Sequence, residues 1–252
     1  PLPILKGNSC APPHDPSSIV QDLAKKGQFD VLVGGGTVEP WPLPPEADYR
    51  QYNSIYYFTK NGEKQPRYDK MVPLPFGEYL PLSSVFPFIR DWIKGPGNFE
   101  AGTEPIVFKG TKFRIAAPIC YEAILPGVCR KYIEPDLLIN TTNDGWFGDT
   151  AAPHQHAMLA AVRSVELGIP LYRSAYSGIS MIVEPHGRIA AETKPFQDVE
   201  RVALVRMRHI PTVYRLLSNY GLHDWFVWLC ALMLGFGFVF GPRLLHSKSS
   251  RE

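Results

Sequence analysis

The stretch Lys112-Phe-Arg-Ile-Ala-Ala-Pro-Ile-Cys-Tyr-Glu122 decides the fold. It is a short apolar run closed by a proline, and helix-compatible sequence follows from Tyr121 to Tyr132. A buried strand of a parallel sheet that hands over to a helix has this appearance. Phe29-Asp-Val-Leu-Val-Gly34 and Asp136-Leu-Leu-Ile-Asn-Thr141 read as two more such strands. Helices are expected from Pro16 to Lys26 and from Pro153 to Leu167; the second has Pro153 at its first turn and Gly168 just past its end. Asn53–Tyr68 around Asn61-Gly62, and Gly178–Glu192 around His186-Gly187, read as antiparallel hairpins. The sum is an α/β domain with a mixed sheet.

Composition narrows the class. The 252 residues are enough for one domain with a sizeable core, and 45% hydrophobic against 20% charged is a folded chain's balance. A net charge of +2, with no basic run longer than two residues, gives no footing for nucleic acid. The four cysteines (Cys10, Cys120, Cys129, Cys230) show no CxxC spacing, so no zinc site or disulfide framework is indicated. His154-Gln-His156 lacks a third ligand at useful spacing, and helix start with local hydrogen bonding is its expected role. Gly34-Gly-Gly36 lacks the Lys-Ser/Thr of a phosphate loop and reads as a loose turn. No metal or organic cofactor is expected.

Two segments have membrane character. Pro75 to Gly110 is a long Pro- and Gly-rich stretch carrying Phe76, Tyr79, Phe86, Phe88 and Trp92. Contact with a greasy ligand or membrane, and burial against the domain's own core, are both open for it. Trp225 to Pro242 holds eighteen residues without a charge, about the ~18 needed for a membrane-spanning helix. Trp225 and Trp228 sit as interface anchors at one end, and Arg243 can snorkel at the other. Arg243, Lys248 and Arg251 follow the span closely, whereas only Arg215 precedes it within fifteen residues. The positive-inside rule then puts the C-terminus in the cytoplasm and the folded domain outside.

Cys120 is the candidate for chemistry, although a cysteine standing alone is more often a small buried hydrophobe. At a strand-to-helix junction a thiol faces free backbone N–H groups and the positive helix end, which favour thiolate and can hold an oxyanion. Cys129 and Cys230 read as small buried hydrophobes, and Cys10 as a loop residue. Lys70 and Glu78 stand together in Tyr68-Asp-Lys-Met-Val-Pro-Leu-Pro-Phe-Gly-Glu-Tyr79.

With these segments in view, the sequence resembles the nitrilase, or carbon-nitrogen hydrolase, superfamily, and within it the apolipoprotein N-acyltransferases of the bacterial envelope. The resemblance rests on Tyr52-Asn-Ser54, the Lys70–Tyr79 segment, Ile119-Cys-Tyr-Glu122 and Thr142-Asn-Asp-Gly-Trp-Phe-Gly148. Gln155-His156, Arg163 with Glu166, and the apolar C-terminal helix extend it over nearly the whole chain. It implies a four-layer α-β-β-α sandwich over residues 1–222, a transmembrane helix over 223–245 and a cytoplasmic tail over 246–252. It implies Cys120 as nucleophile, Lys70 as the cation that stabilises the tetrahedral intermediate, and Glu78 as the glutamate that orients Lys70. Tyr121, Glu122, Trp146 and Phe147 are implied as substrate contacts.

The family's general-base glutamate lies in a Trp-Pro-Glu-like run after an early strand, and no such run precedes Val31. Trp41-Pro42 is followed by Leu43, and Glu39 and Glu46 fall in a loop. The chain is therefore expected to lack its true beginning, including the first strand-helix unit, and to turn over poorly by itself. The implied reaction takes an acyl chain from a membrane phospholipid, through a Cys thioester, to the N-terminal amine of a diacylglyceryl-cysteine lipoprotein. That places the enzyme in the bacterial cytoplasmic membrane, its catalytic domain on the outer side. A nitrilase-type hydrolase, or a membrane-tethered binding domain with a decayed site, are the rival readings.

Overall fold

The computed structural model describes residues 16–40, 49–83, 85–86, 88–89, 93, 97–196 and 225–246. Cys10, Trp41, Glu46, Trp92 and the tail after His246 lie outside these residues. The chain forms two compact units, Pro1–Ile210 and Pro211–Glu252.

In the first unit, α1 (Pro16–Gly27) leads into β1 (Val31–Pro40), β2 (Tyr49–Phe58) and β3 (Tyr68–Asp69), which form an antiparallel sheet in the order β1-β2-β3. A second sheet has the order β4-β5-β6-β7-β8-β9, from β4 (Val107–Lys109), β5 (Arg114–Ala116), β6 (Leu137–Asn143), β7 (Leu171–Tyr176), β8 (Met181–Val183) and β9 (Ile189–Glu192). Its middle is parallel, β5-β6-β7, and its flanks are antiparallel. Between β5 and β6 lie a 3-10 turn, Cys120–Ile124, and the one-turn helix α2 (Pro126–Cys129); α3 (Ala152–Leu167) joins β6 to β7.

The two sheets close on one core. Ile55, Tyr57 and Tyr68 of the first pack with Phe108, Ile115, Leu138, Leu171 and Met181 of the second. A Cβ added at Gly34 would lie 3.6 Å from Thr141 Oγ1, so the sheets approach closely there. Helix α1 packs on β2 and α3 on β7 and β8, which gives a helix to each sheet. This is a nitrilase-like α/β fold.

Most elements stand where the sequence puts them. Helix α3 has Pro153 in its first turn and ends on Gly168 at φ 66°, the left-handed cap glycine favours. Both hairpins form, and Gly62 and Gly187 take positive φ at their tips.

Three expectations are corrected. The strand after Phe29 is antiparallel, not parallel. Only residues 41–48 separate β1 from β2, which is too short for the crossover that parallel neighbours need. Gly34-Gly-Gly36 is not a loose turn; it lies inside β1, paired with Asn53–Ile55. The helix read from Tyr121 to Tyr132 is broken after Ile124. Leu125 is extended (φ −95°, ψ 106°) because Pro126 follows it, and a residue before proline is pushed out of the helical region. No long helix therefore starts at Cys120, and the macrodipole argument for its thiolate loses most of its basis.

The second unit contains α4 (Trp225–His246), where the sequence places a span. Among the described residues no helix is long and apolar enough to cross a membrane, and the side chains beyond Phe238 lie outside them. From Phe226 to Phe238 the large apolar side chains of α4, among them Trp228, Leu232, Met233 and Phe236, are exposed.

Candidate functional site

Cys120 begins the 3-10 turn directly after Ile119, which bridges to Thr141 of β6. Its φ is 49°, in the left-handed region that a residue with a Cβ rarely enters. Such a conformation persists only where neighbours over-determine it, and active sites are where it concentrates. The thiol is half-buried. Cys129, by contrast, is fully buried, and burial pushes its thiol up to about 12.

Lys70 follows β3. Its backbone is pinned on both sides, N–H to Asn53 O at 2.8 Å and carbonyl to Gly102 N–H at 2.7 Å. Gly102 must be glycine for that approach, because a Cβ there would meet Asp69 O at 2.2 Å. The ammonium is 1% exposed and sits 2.6 Å from Glu78 Oε2. Glu78 is itself held by Asn53 Nδ2 (2.8 Å) and the Leu74 N–H (2.6 Å). A buried lysine is costly unless paired, and here the pair is paired again by neutral donors. A lone lysine is ordinarily a solvated surface charge, and Lys70 is not one.

Glu122 links the two segments. It is 0% exposed and accepts from Tyr68 Oη (2.8 Å) and from the N–H groups of Met71 (2.6 Å), Val72 (3.0 Å) and Ile119 (2.8 Å). Burial raises its carboxyl pKa against those hydrogen bonds and the nearby Lys70 charge. With both oxygens occupied by the protein, Glu122 acts as a brace between the loop after Lys70 and the Cys120 turn, not as an open substrate contact. Tyr121 beside it is half-buried.

Behind Cys120 lies a polar chain that sequence reasoning missed. Asn140 and Arg173 project from adjacent parallel strands, with Asp144 just beyond β6. Arg173 Nη1 donates to Asn140 Oδ1 at 2.5 Å and Nη2 to Asp144 Oδ2 at 2.7 Å. Burial lowers the Arg173 pKa against the pull of Asp144. Burial would raise the Asp144 pKa, but the bond to His156 and the Arg173 charge hold it below the usual range. One signal was present: with period two, Arg173 shares the inward face of β7 with Leu171, and an inward arginine needs a buried partner. His156 bonds Asp144 at 2.9 Å, the local role expected of it.

Asp144 stands at the start of the 3-10 turn Gly145–Phe147, where its backbone carbonyl, not its side chain, accepts from the Phe147 N–H at 3.0 Å. Trp146 is 86% exposed, and Phe147 lies edge-on to the His156 ring at 5.8 Å. Phe76, Leu82, Val85, Phe86 and Phe88 of the long loop are also exposed, whereas Leu80 and Phe108 of the same stretch are buried, so the loop is anchored in the core and presents these five outward. Glu39 is ion-paired with Arg67 at 2.7 Å.

The carbon-nitrogen hydrolase profile matches residues 17–210. Among curated relatives, the apolipoprotein N-acyltransferase of Geobacter metallireducens is 36% identical over 85% of this chain and 40% of its own length. That of Bdellovibrio bacteriovorus is 30% identical over 94% of this chain and 46% of its own. The chain thus spans less than half the length of these two relatives. Among solved structures, a carbon-nitrogen hydrolase from Helicobacter pylori superposes with a TM-score of 0.54 at 16% identity, covering 71% of this chain and 62% of that one, a likeness of fold. Profile, relatives and fold agree: the chain belongs to the carbon-nitrogen hydrolase family.

Proposed function

We propose that the chain carries the catalytic site of an N-acyltransferase that moves an acyl chain from a membrane phospholipid to the N-terminal amine of a diacylglyceryl-cysteine lipoprotein. The observation that carries this reading is the buried Lys70–Glu78 pair, braced through Glu122 to the strained turn of Cys120. The thiolate of Cys120 attacks the ester carbonyl, and Lys70 stabilises the oxyanion that forms. Collapse breaks the ester bond, and the lysophospholipid leaves with a proton. The free amine then attacks the thioester, an amide forms, and the thiol is restored. This is ping-pong covalent catalysis, which needs a proton carrier at each step. Glu78, fixed by three donors, orients Lys70.

A lipid donor is supported by the exposed apolar side chains of the long loop and by Trp146. An acceptor amine is supported by the names of the relatives. The test supplies the enzyme, in detergent, with a phospholipid labelled in its acyl chain, with and without a diacylglyceryl peptide. Label should appear in the peptide as an amide. Release of labelled fatty acid at a rate indifferent to the peptide would return the site to the hydrolases.

Attachment to the cytoplasmic membrane through α4 completes the reading, supported by its exposed apolar side chains and by the cations that follow it. The tail after Arg243 then lies in the cytoplasm and the catalytic domain outside. A reporter fused after Glu252 should be active only in its cytoplasmic form; activity confined to the periplasmic form would reverse the orientation.

A further inference from the structure

The left-handed backbone of Cys120 requires something to hold it, and the carbonyls of Pro118 and of Cys120 itself show what does. Both accept from Asn140 Nδ2, at 2.8 and 3.3 Å. The orientation of that amide is fixed by its other end: Asn140 Oδ1 accepts from Arg173 Nη1, and an arginine can only donate. Arg173 is fixed in turn by Nε to Ile179 O (3.2 Å) and by Nη2 to Asp144 Oδ2. Asp144 Oδ1 bonds Thr142 Oγ1 (3.0 Å) and His156 Nδ1. Every member is buried: Asn140 and Asp144 are 0% exposed, Arg173 3% and His156 6%. The far end of the chain meets the turn of Trp146 and Phe147 through the Asp144 backbone carbonyl, which accepts from the Phe147 N–H at 3.0 Å, and through the His156–Phe147 contact.

We propose that Asn140, Arg173, Asp144 and His156 are positioning residues that pin the Cys120 turn and couple it to the Trp146–Phe147 turn. The inference rests on the reading of Cys120 as the nucleophile and extends it. The hydrogen bonds run without a break from the Cys120 turn to the residues that hold the Trp146–Phe147 turn. Among the described residues Asn140, Arg173 and Asp144 have their buried polar atoms bonded, and His156 is tied in through Nδ1 alone, its Nε2 having no partner; loosening either end of such a chain should be felt at the other.

The test reads the sulfur directly. The full chain in detergent is treated with iodoacetamide across the ordinary thiol range, ~8.5, and alkylation of Cys120 and Cys129 is followed by peptide mass spectrometry. Asn140→Asp has the same shape and keeps an acceptor for Arg173. It removes the donor to both carbonyls and sets an anion against them. The midpoint of Cys120 alkylation should rise by about one pH unit, so that the neutral-pH rate falls about tenfold. Arg173→Lys, which keeps the charge but loses the fork, should move it in the same direction by less. Cys129 should stay unreactive throughout, since a buried thiol is alkylated only if the core opens.

An unchanged Cys120 profile in Asn140→Asp, with Cys129 protected, would overturn the proposal. Should that variant expose Cys129, His156→Phe decides from the other end, because it keeps the packing on Phe147 and removes the bond to Asp144. A raised midpoint with Cys129 protected supports the coupling, and an unmoved one ends it. These outcomes are separate from the fate of the acyl-transfer reading, since alkylation requires no turnover.

Discussion

Cys120→Ala is expected to abolish covalent acyl-enzyme altogether. A thioester needs the sulfur, and among the described thiols only Cys120 combines partial exposure with a strained turn and a buried cation braced to its segment. Cys129 is nine residues on, yet burial raises its thiol pKa to about 12, which leaves almost no thiolate at neutral pH. Cys129→Ala should therefore keep full labelling, at the cost of a small buried group. Incubation with acyl-labelled phospholipid, followed by hydroxylamine, separates thioester from trapped lipid. Hydroxylamine-sensitive label that survives in the Cys120 variant would remove it as nucleophile, whatever the reaction turns out to be.

The parts of the fold that follow from periodicity were legible in the sequence. The β6 run, helix α3 with its proline and glycine, and both hairpin tips carry local signals that the core did not override. The parts that failed did so for nameable reasons. A two-sided sequence pattern cannot tell a strand with a parallel neighbour from one with an antiparallel neighbour, and for β1 it is the shortness of residues 41–48 that requires the antiparallel one. The helix after Cys120 was read through Pro126, a local breaker that should have ended it.

The site divides in the same way. Cys120, Lys70 and Glu78 are legible because two sequence segments resemble one family, and the structure joins those segments through Glu122, a residue the resemblance marks as a substrate contact and whose bracing role no local pattern shows. Asn140 and Arg173 were missed because each is a single polar residue in an apolar strand. Their meaning depends on a partner thirty-three positions away, and pairing across strands is tertiary information.

Lys70→Met should lower the rate of acyl-enzyme formation by about 10²–10³, the usual cost of losing one donor to a developing oxyanion. The comparison that gives this number meaning is Lys60→Met. Lys60 is half-buried at the hairpin turn, and its own N–H, not its ammonium, makes the bond to Asp30 at 2.8 Å. That variant should lie within about twofold of the parent, as surface changes away from special contacts do. Removing one member of a buried ion pair can also destabilise, since the other charge is left behind. Here Glu78 keeps the Leu74 N–H on Oε2 and Asn53 Nδ2 on Oε1, and it is not fully buried, so the carboxylate retains two donors when Lys70 is lost. Methionine fills the lysine stem with little change of volume, which limits the cavity left at this buried position. The measurement is single-turnover acylation, with Cys129 alkylation as the check on folding. A slow, folded Lys70→Met beside a fast Lys60→Met locates the effect in the transition state. Equal and small losses in both would return Lys70 to a structural ion pair and leave the oxyanion to the backbone of the Cys120 turn.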